Sequence, residues 1–294
     1  MKKPSVVVAI NPAARRMNRE KADKLYRFFQ ENSKLIDFVV SKKAGDITIA
    51  AKRASGDSSV ELFVVAGGDG TLNEAINGIS CPGPKIGYVP GGTSNVIRFE
   101  LGIPGDIISA SMVALGGRAK RVRPGVAGGR KFLLMAGIGI DADIVRSVSG
   151  ELKSHLGKAE YIRTGLNRIF HYSLPPVSVE VEGETMGDFS WAVIARSSYY
   201  AGKLRLVREA TLDRDTLVAY LFRERGALPY LRYSLKTIFG VPFGKRDAVK
   251  VESESFILKS TGPVPYQVDG DFVGHLPLDV CTSEEWIEIN TPTG

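Results

Sequence analysis

The sequence is poor in the residues that build metal centres and disulfide frameworks. Its 294 residues include two cysteines, Cys81 and Cys281, and three histidines, His155, His171 and His275. Neither cysteine has a second one nearby, and the histidines are too scattered for a zinc site or a hydrolytic triad. These absences exclude a zinc-stapled or disulfide-stapled scaffold, so we expect reduced thiols and structural or exposed histidines.

Long apolar runs are also missing. The longest spans residues 132–140 and stops at Asp141, well short of the ~20 residues that cross a bilayer. The apolar stretch at residues 6–10 has no small-residue cleavage site after it, which favours a buried strand over a signal peptide. We therefore expect no membrane-spanning segment and a cytoplasmic protein.

The overall amino-acid composition is ordinary for a globular protein, with an excess of positive charge. The chain is 44% hydrophobic and 24% charged, and 39 Lys and Arg against 32 Asp and Glu give a net charge of +7. The length suggests about two domains. The charge favours anionic partners, namely nucleotides, phospholipid surfaces or nucleic acid, and does not choose among them.

The first part of the chain, to about residue 120, alternates short β-rich runs with helical patterns. This alternation is typical of a parallel sheet covered on both faces. Strands are predicted at residues 6–10, 36–40, 61–66 and 85–89. Asn18 and Asp46 are each predicted to cap a helix, the second of which ends near Gly56.

From about residue 125 the pattern changes to alternating strands broken by Gly and Pro, which predicts antiparallel β-structure. Strands are predicted at residues 131–136, 177–182, 191–196, 217–222 and 254–259, with two more near the end. Helices are predicted near residues 156–170 and 227–239. The change of period places a domain boundary near residues 120–130.

The sharpest motif follows the predicted strand at residues 61–66 and opens a helix. It reads Gly67-Gly68-Asp69-Gly70-Thr71-Leu72-Asn73-Glu74. The glycines let the backbone turn tightly and approach a ligand, and the N–H groups of the helix end attract anions. The motif lacks the Gly-Lys-Ser/Thr of a Walker loop, and an acid inside it makes sense where Mg²⁺ lies between carboxylate and phosphate. It therefore predicts a phosphate site. The alternative is a plain glycine turn in which Asp69 only caps the helix.

Two further loops leave the predicted sheet at the same edge. They read Pro90-Gly91-Gly92-Thr93-Ser94-Asn95, before a helical stretch at residues 96–100, and Asn11-Pro12-Ala13-Ala14-Arg15-Arg16, after the first strand. Open α/β sheets bind ligands at the carboxyl ends of their strands. We therefore expect one nucleotide to contact all three loops.

Together these motifs resemble those of the diacylglycerol kinase catalytic-domain family, which includes soluble bacterial lipid kinases, sphingosine kinases and ceramide kinases. The resemblance runs nearly end to end. It is also carried by Leu101-Gly102-Ile103-Pro104, Ala136-Gly137-Ile138-Gly139-Ile140-Asp141-Ala142, Leu156-Gly157-Lys158-Ala159-Glu160-Tyr161 and Gln267-Val268-Asp269-Gly270-Asp271. NAD kinases and phosphofructokinases share the Gly-Gly-Asp-Gly-Thr string, whereas its combination with the Thr-x-Asn loop and the late Asp-Gly-acid motif is more specific.

The resemblance implies an α/β nucleotide-binding domain with a parallel sheet over residues 1–124, to which residues 285–294 return. It implies that residues 125–284 form an antiparallel β-sandwich domain that binds the lipid substrate, with a cleft between the two domains. The implied activity is an ATP- and Mg²⁺-dependent phosphorylation of a diacylglycerol-like or sphingoid hydroxyl in phospholipid metabolism. The expected partner is lipid at an anionic membrane surface, reached by peripheral association; nucleic acid is not expected, and a homodimer is compatible with this interpretation.

The resemblance also implies roles for individual residues. ATP would be surrounded by Asn11, Ser41, Gly67, Gly68, Asp69, Gly70, Thr71, Leu72, Asn73, Glu74, Thr93 and Asn95. Asp69 would organise Mg²⁺ and the phosphates, and Asp269 with Asp271 would supply the base for the lipid hydroxyl. From the residues alone, Asp269-Gly270 is equally a hairpin-turn signal.

Several positions depart from the family pattern. Ala14-Arg15 stands where Ser-Gly is usual, which removes a hydroxyl and brings positive charge towards the expected phosphates. Val96 replaces an acid. Asp271 replaces a Glu that is one methylene longer, which shifts our preference for the base to Asp269.

A further departure lies in a loop that holds a structural Mg²⁺ in many bacterial members, with the pattern Ala-x-x-Asp-Asp-Gly. Here the loop reads Ala210-Thr211-Leu212-Asp213-Arg214-Asp215. An arginine cannot ligate a cation. We therefore expect no metal, or one held by a rearranged Asp213 and Asp215, or the guanidinium bridging these two carboxylates.

The stretch at residues 223–250 combines positive charge with apolar side chains. It carries seven Lys or Arg against two acids, interleaved with Tyr230, Leu231, Tyr233, Phe239 and Phe243. Such a stretch suits an anionic bilayer surface. A solvated helix on the second domain is the alternative.

Two other functions stay open on the sequence alone. One is another kinase with the same glycine loop, such as an NAD kinase. The other is a lipid- or nucleotide-binding homologue that has lost catalysis through the changes at Ala14, Arg15 and Asp271. Turnover with lipid, turnover with NAD, or binding without turnover would separate the three.

Overall fold

A computed structural model describes residues 3–148 and 174–293. The predicted helix near residues 156–170, the Leu156 to Tyr161 motif, and His155 and His171 lie outside this part.

The chain divides into two compact units. The first comprises the chain up to Pro124, Ala201–Lys203 and the chain from Ser283 onwards, and the second comprises Gly125–Tyr200 and Leu204–Thr282. The C-terminal segment therefore packs with the N-terminal unit.

A six-stranded sheet forms the centre of the first unit. Numbered in chain order, its strands are β1 Ser5–Ile10, β2 Lys34–Val40, β3 Leu62–Gly67, β4 Lys85–Pro90, β5 Arg118–Val122 and β20 Ile287–Thr291. The order is β2-β1-β3-β4-β20-β5, and neighbouring strands are parallel except β20 and β5. β1 and β3 are buried along their whole length, as expected inside a sheet covered on both faces.

The first, third and fourth helices of this unit begin where the sequence signals them. The second has a different cap, and the sequence does not predict the last. In chain order, the helices are α1 Arg19–Asn32, α2 Asp46–Gly56, α3 Asp69–Gly78, α4 Ile97–Glu100 and α5 Ile107–Gly116. Asn18 caps α1 as predicted, accepting a first-turn N–H at 3.0 Å. The prediction that Asp46 caps α2 is wrong, because Gly45 in a left-handed conformation is the N-cap. The Asp46 carboxylate instead accepts the N–H groups of Lys42 and Lys43 in the preceding turn.

Two antiparallel sheets form the second unit. Their strands are β6 Gly125–Ala127, β7 Arg130–Phe132, β8 Met135–Ile138, β9 Val177–Val181, β10 Glu184–Phe189, β11 Trp191–Ala195, β14 Leu217–Phe222, β15 Val249–Ser253, β16 Ser255–Ser260, β17 Pro265–Val268, β18 Asp271–His275 and β19 Leu278–Thr282. The orders are β10-β9-β16-β19-β6-β7 and β15-β14-β11-β8-β17-β18. A short hairpin joins β12 Tyr199–Tyr200 to β13 Leu204–Arg205.

The core of the second unit is an apolar cluster drawn from both sheets, including Phe132 and Phe256 of one sheet and Ile194 and Leu221 of the other. Such packing of two antiparallel sheets is a β-sandwich. The predicted fold class, a parallel α/β domain followed by an antiparallel β-sandwich, is confirmed.

Two helices of the second unit lie within the described residues, α6 Ile140–Val148 and α7 Ala227–Ile238. The sequence predicts α7 to within one residue and does not predict α6. The predicted strand at residues 131–136 is wrong as a single element, because the chain leaves the ladder at Leu133 and Leu134. The N–H groups of these two residues bond to the Asp269 carboxylate instead of to a neighbouring strand.

Among residues 3–148 and 174–293, no helix is long and apolar enough to cross a membrane.

Candidate active site

The motif from Gly67 to Glu74 forms the junction between β3 and α3. Gly67 ends the strand, Gly68 is the N-cap, and Asp69 is the first residue of the helix. A Cβ on Gly67 would lie 2.4 Å from the Thr71 hydroxyl, so the tight turn requires glycine there. Helix dipole and amide groups make the first turn of α3 attractive to an anion.

The loop after β1 is joined to this turn by Asn11. The Asn11 amide donates to the Thr71 hydroxyl at 3.1 Å, and its carbonyl oxygen accepts the Ala13 N–H at 3.0 Å. One side chain therefore shapes its own loop and connects it to the glycine turn.

The second glycine loop packs directly against the first. A Cβ built on Gly92 would lie 2.6 Å from the Gly68 Cα atom. Asn95, at a positive φ of 46°, accepts the Gly92 N–H at 2.8 Å and donates to the Gly92 carbonyl at 2.9 Å. The Tyr88 hydroxyl also donates to Asn95, at 3.3 Å. Asn95 thus holds the loop in shape.

Asp69 connects the two glycine loops electrostatically. Its carboxylate accepts the Val96 N–H at 2.9 Å and the Ile97 N–H at 3.1 Å, at the start of α4. Burial raises the pKa of Asp69, and the two backbone hydrogen bonds oppose that shift. Asp69 is therefore a cap, but of the helix that follows the second loop, and it keeps a carboxylate between the two loops.

The other residues predicted around ATP occupy varied positions in this unit. The Ser41 hydroxyl donates to the Lys43 carbonyl at 3.2 Å, and Glu74 accepts the Gly45 N–H at 3.0 Å. Thr93 is exposed on the second loop, and Gly70 is exposed on the first. The side chains of Leu72 and Asn73 are buried in the unit.

The late acids lie on the β17–β18 hairpin of the second unit. Asp269 and Gly270 both have positive φ, 50° and 86°, so the turn signal in the sequence corresponds to a real turn. The Asp269 carboxylate accepts the N–H groups of Leu133, Leu134 and Met135 at 3.0 to 3.1 Å. Asp269 therefore fixes the β7–β8 connection.

Asp271 is engaged more lightly. One of its oxygens accepts Arg130 at 2.7 Å, and its side chain is 49% exposed. A carboxylate has about four acceptor positions, of which the three N–H groups fill most at Asp269. Asp271 therefore keeps more of its acceptor positions open than Asp269 does.

An apolar pocket of about 200 Å³ lies between α7 and the sheet in the second unit. Its lining is largely aromatic and aliphatic and includes Trp191, Leu206, Tyr230 and Tyr233, and Asp141 is the one charged group among the described lining residues. The sequence singled out no role for Asp141, although it ends the longest apolar run of the chain.

The Asp141 carboxylate is fixed on both sides. It accepts the Tyr200 hydroxyl at 2.9 Å and the Gln267 amide at 2.7 Å. A Cβ on Gly137 would lie 2.0 Å from the same carboxylate, so glycine leaves room for it. Burial raises the pKa of Asp141, and both hydrogen bonds act against the rise.

The loop expected to hold a structural metal is organised by Arg214. Its guanidinium donates to both oxygens of Glu252 at 3.0 Å, and the Thr216 hydroxyl donates to one of them at 2.6 Å. The Thr216 and Arg214 contacts lower the pKa of Glu252. In residues 3–148 and 174–293 there is no group of three His, Cys, Asp or Glu side chains that could hold a metal. These residues do not fit a metal at Asp213 and Asp215, since the guanidinium supplies a positive charge to this loop.

The stability of this loop should therefore be independent of metal. We expect EDTA and added Mg²⁺ to leave the melting temperature unchanged when measured without nucleotide. Arg214→Ala should lower the free energy of unfolding by no more than about 1 kcal/mol, because the pair is half exposed. A rise in melting temperature on adding Mg²⁺, lost in Asp213→Asn, would contradict this.

Two families match the chain. The one described as "Diacylglycerol kinase catalytic domain" matches residues 5–127, and "YegS C-terminal NAD kinase beta sandwich-like domain" matches residues 135–290. A diacylglycerol kinase of Staphylococcus carnosus (strain TM300) is 31% identical over 256 residues, covering 86% of this chain and 83% of the relative. That of Staphylococcus epidermidis (strain ATCC 12228) is 30% identical over 256 residues, covering 86% and 80%.

Solved structures give the same fold. A crystal structure described as a diacylglycerol kinase from Bacillus anthracis str. Sterne has a TM-score of 0.79 at 22% identity, covering 99% of this chain and 98% of that one. The α/β unit and the β-sandwich unit correspond to the two domains that these family descriptions name. The chain belongs to the diacylglycerol kinase catalytic-domain family, as the resemblance of its motifs predicts.

Proposed function

We propose that the protein transfers the γ-phosphoryl group of ATP to the hydroxyl of a diacylglycerol-like lipid, with Mg²⁺. The first unit binds ATP. Support comes from two glycine loops in van der Waals contact at the carboxyl ends of the adjacent strands β3 and β4, with the first turn of α3 beside them. This is where open α/β sheets bind ligands and where phosphate meets helix amides.

Mg²⁺ fits the residues of this loop pair. The Asp69 carboxylate uses two of about four acceptor positions for backbone N–H groups, which leaves oxygen lone pairs for a hard cation. When bound, Mg²⁺ would neutralise charge on the phosphates. Asp69 holds its carboxylate at the loops through its bonds to the start of α4.

Contact between the loops can be tested with a single methyl group. Gly92→Ala places that methyl against the Gly68 backbone, so one loop has to move. We expect ATP affinity to fall about tenfold or more and the free energy of unfolding to drop by about 1–3 kcal/mol. Gly116→Ala, at the open end of α5, is the control and should change neither. Calorimetric ATP titration and urea unfolding measure both effects, and equal ATP affinity in the two variants would refute the close packing.

The apolar pocket with Asp141 favours a lipid over NAD as the substrate that accepts the phosphoryl group. NAD is a polar dinucleotide with a negatively charged diphosphate, which a carboxylate repels and an aromatic lining does not solvate. A glycerol or sphingoid headgroup offers hydroxyl donors that a buried carboxylate accepts, while the lining receives hydrocarbon. The relatives' designation as diacylglycerol kinases supports diacylglycerol among such lipids.

We further propose that Asp271 accepts the proton of the lipid hydroxyl and that Asp269 positions it. The Asp269 carboxylate and the turn it fixes hold the first residue of β18 in place. Positioning and charge neutralisation supply most of the catalysis in phosphoryl transfer.

The test of this function is a comparison of phosphoryl acceptors. The protein is incubated with ATP and Mg²⁺ together with diacylglycerol, sphingosine or NAD. Phosphatidic acid as the product is expected. Phosphorylation of NAD alone, or binding of ATP and lipid without turnover in any arm, would overturn the proposal.

Asp141→Asn should separate lipid recognition from stability. Because its pKa is raised in the folded state, Asp141 favours folding at low pH and loses that contribution as pH rises through the folded-state pKa. We therefore expect Asp141→Asn to be more stable than the parent at pH 8. This gain should shrink as pH falls below the folded-state pKa and vanish at the ordinary aspartate pKa.

The same variant should raise the KM for lipid about tenfold or more and leave the KM for ATP unchanged. Asp279→Asn, on an exposed position of β19, is the control for removing one charge from the unit. A stability difference that grows towards low pH, or an unchanged lipid KM, would contradict the assignment.

A further inference from the structure

Helix α7 presents two faces of different character. On one face, Tyr230, Tyr233 and Thr237 line the pocket that contains Asp141. Tyr233 is buried against Phe222, with ring centroids 4.9 Å apart. This face belongs to the unit's interior and fixes how the helix sits on the sheet.

The opposite face is apolar and exposed. We call its side chains the outer ridge: Leu228, Leu231, Leu235, Phe239 and Val241. The first three follow helical spacing on one side of α7. Leu228 near the start of the helix and Phe239 just after its end are 78% and 76% exposed. The ridge lines a groove of about 610 Å³. Contiguous exposed apolar surface of this kind marks an interaction site.

Positive charge flanks the outer ridge along the chain. Residues 223–247 contain six Lys or Arg and two acids, which leaves four net positive charges. Arg232 and Lys236 pair with Glu224 and Asp247 at the edge of the groove. The remaining cations include Arg225, Lys245 and Arg246, all exposed.

We propose that the outer ridge is the surface through which the protein contacts an anionic lipid bilayer. The ridge side chains enter the boundary between headgroups and acyl chains, and the exposed cations lie against the headgroup phosphates. A helix with an apolar face and flanking cations binds such an interface in the plane of the membrane. A second copy of the chain fits less well, because it brings the same excess of positive charge to the contact.

One helix would then serve both the membrane and the lipid pocket. This consequence rests on the proposed function, since it takes the pocket to be the lipid site. With its outer ridge in the bilayer, α7 separates the acyl region from the pocket by the thickness of one helix. A lipid therefore has a short path from the membrane to Asp141.

Depth of insertion tests the proposal most sharply. Phe239→Trp and Met112→Trp each place a tryptophan on an exposed apolar position, the second on α5 of the other unit. The vesicles contain phosphatidylglycerol and phosphatidylcholine with brominated acyl chains, which quench nearby tryptophan fluorescence. We expect Phe239→Trp to be quenched more strongly than the parent chain. Met112→Trp should show no more quenching than the parent chain. Equal quenching of both, or none in Phe239→Trp, would overturn the proposal.

Binding measured by vesicle sedimentation provides the second arm. Leu228→Glu with Phe239→Glu should weaken partitioning at least tenfold, whereas Met112→Glu should bind as the parent does. Arg225→Glu with Lys245→Glu should weaken binding to phosphatidylglycerol vesicles, and raised salt should do the same in the parent. Neutral phosphatidylcholine vesicles should bind weakly throughout. Equal binding to neutral and anionic vesicles would refute the electrostatic part.

Other occupants of the ridge give distinct results. The proposal would be overturned if the parent did not bind vesicles but formed a dimer, and if Leu228→Glu with Phe239→Glu dissociated that dimer. This result would show a second copy of the chain on the ridge. Vesicle binding requires no turnover, so it is independent of the kinase assay. Binding without lipid phosphorylation would leave this proposal standing and refute the proposed function; phosphorylation of a short-chain, water-soluble diacylglycerol without vesicle binding would do the reverse.

Discussion

Asp69→Asn should lower kcat by about 10³-fold or more while the protein remains folded. The substitution removes the negative charge held between the two glycine loops, and with it the oxygen ligand proposed for Mg²⁺. Asparagine can still accept one of the two N–H groups at the start of α4, so we expect a stability loss of only about 1–3 kcal/mol. Steady-state kinetics and thermal unfolding measure the two effects.

The dependence on Mg²⁺ distinguishes a ligand from a mere cap. If Asp69 holds the cation, Asp69→Asn should require more Mg²⁺ for half-maximal activity. Asp106→Asn is the matched control, since Asp106 caps α5 through the Ser109 N–H at 2.8 Å and lies outside the loops. Near-parental turnover in folded Asp69→Asn, or an unchanged Mg²⁺ requirement, would refute the role given to this loop.

Asp271→Asn and Asp269→Asn should fail in different ways. Asp271→Asn should lower kcat by about 10²–10⁴-fold, as expected for a lost general base, with little change in stability because its ion pair with Arg130 is half exposed. Asp269→Asn should lower both activity and stability, the latter by about 1–3 kcal/mol, because three backbone N–H groups lose part of their acceptor.

ATP binding should survive in both variants, since both acids lie in the second unit. The loss of turnover relative to the loss of stability separates the two roles further. Asp271→Asn should lose turnover at nearly parental stability, whereas turnover and stability should fall together in Asp269→Asn. If Asp269→Asn instead abolishes turnover at full stability, Asp269 is the base, as preferred from the sequence.

Local signals in the sequence predicted the glycine loops well because strand, glycine and helix follow one another directly. β3 ends at Gly67 and α3 begins at Asp69, as the motif indicates. The sequence could not indicate that Asp69 bonds to Val96 and Ile97, because that contact depends on β3 and β4 being neighbours. It is a consequence of strand order.

A long-range contact explains one failure of prediction from the sequence, and a local turn explains another. The interruption between β7 and β8 arises from a carboxylate more than 130 residues away, at Asp269, which a window of neighbouring residues does not include. Asp46 has the residue type of a helix cap, but Gly45 already adopts the conformation that begins α2. Asp46 closes the preceding turn instead, through the N–H groups of Lys42 and Lys43.

The basic stretch at residues 223–250 shows what an amphipathic sequence pattern can predict and what it cannot. The sequence located α7 and its charge, and it indicated five apolar residues without assigning them to a face. The structure buries Tyr233 and packs Phe243 near Phe222, and it exposes Leu231 and Phe239. Leu228 is more exposed than either of these two, although nothing in the sequence singled it out. Which face packs on the sheet is set by tertiary structure.

Asp141 was missed because its chemistry depends on burial. In the sequence it is one acid after an apolar run. In the fold it is enclosed by Tyr200 and Gln267 and opens on an apolar pocket, with its pKa raised by burial. A charged residue at the end of a long apolar run is the signal that could have identified it.

The most direct test of the central claim uses γ-labelled ATP with Mg²⁺ and a total lipid extract, followed by identification of the labelled product. We expect one labelled lipid, a phosphate monoester of the diacylglycerol class, formed by the parent and by Asp106→Asn and lost in Asp69→Asn. Label that stays in ATP and inorganic phosphate, or that appears in NADP when NAD is supplied and never in lipid, would contradict the claim.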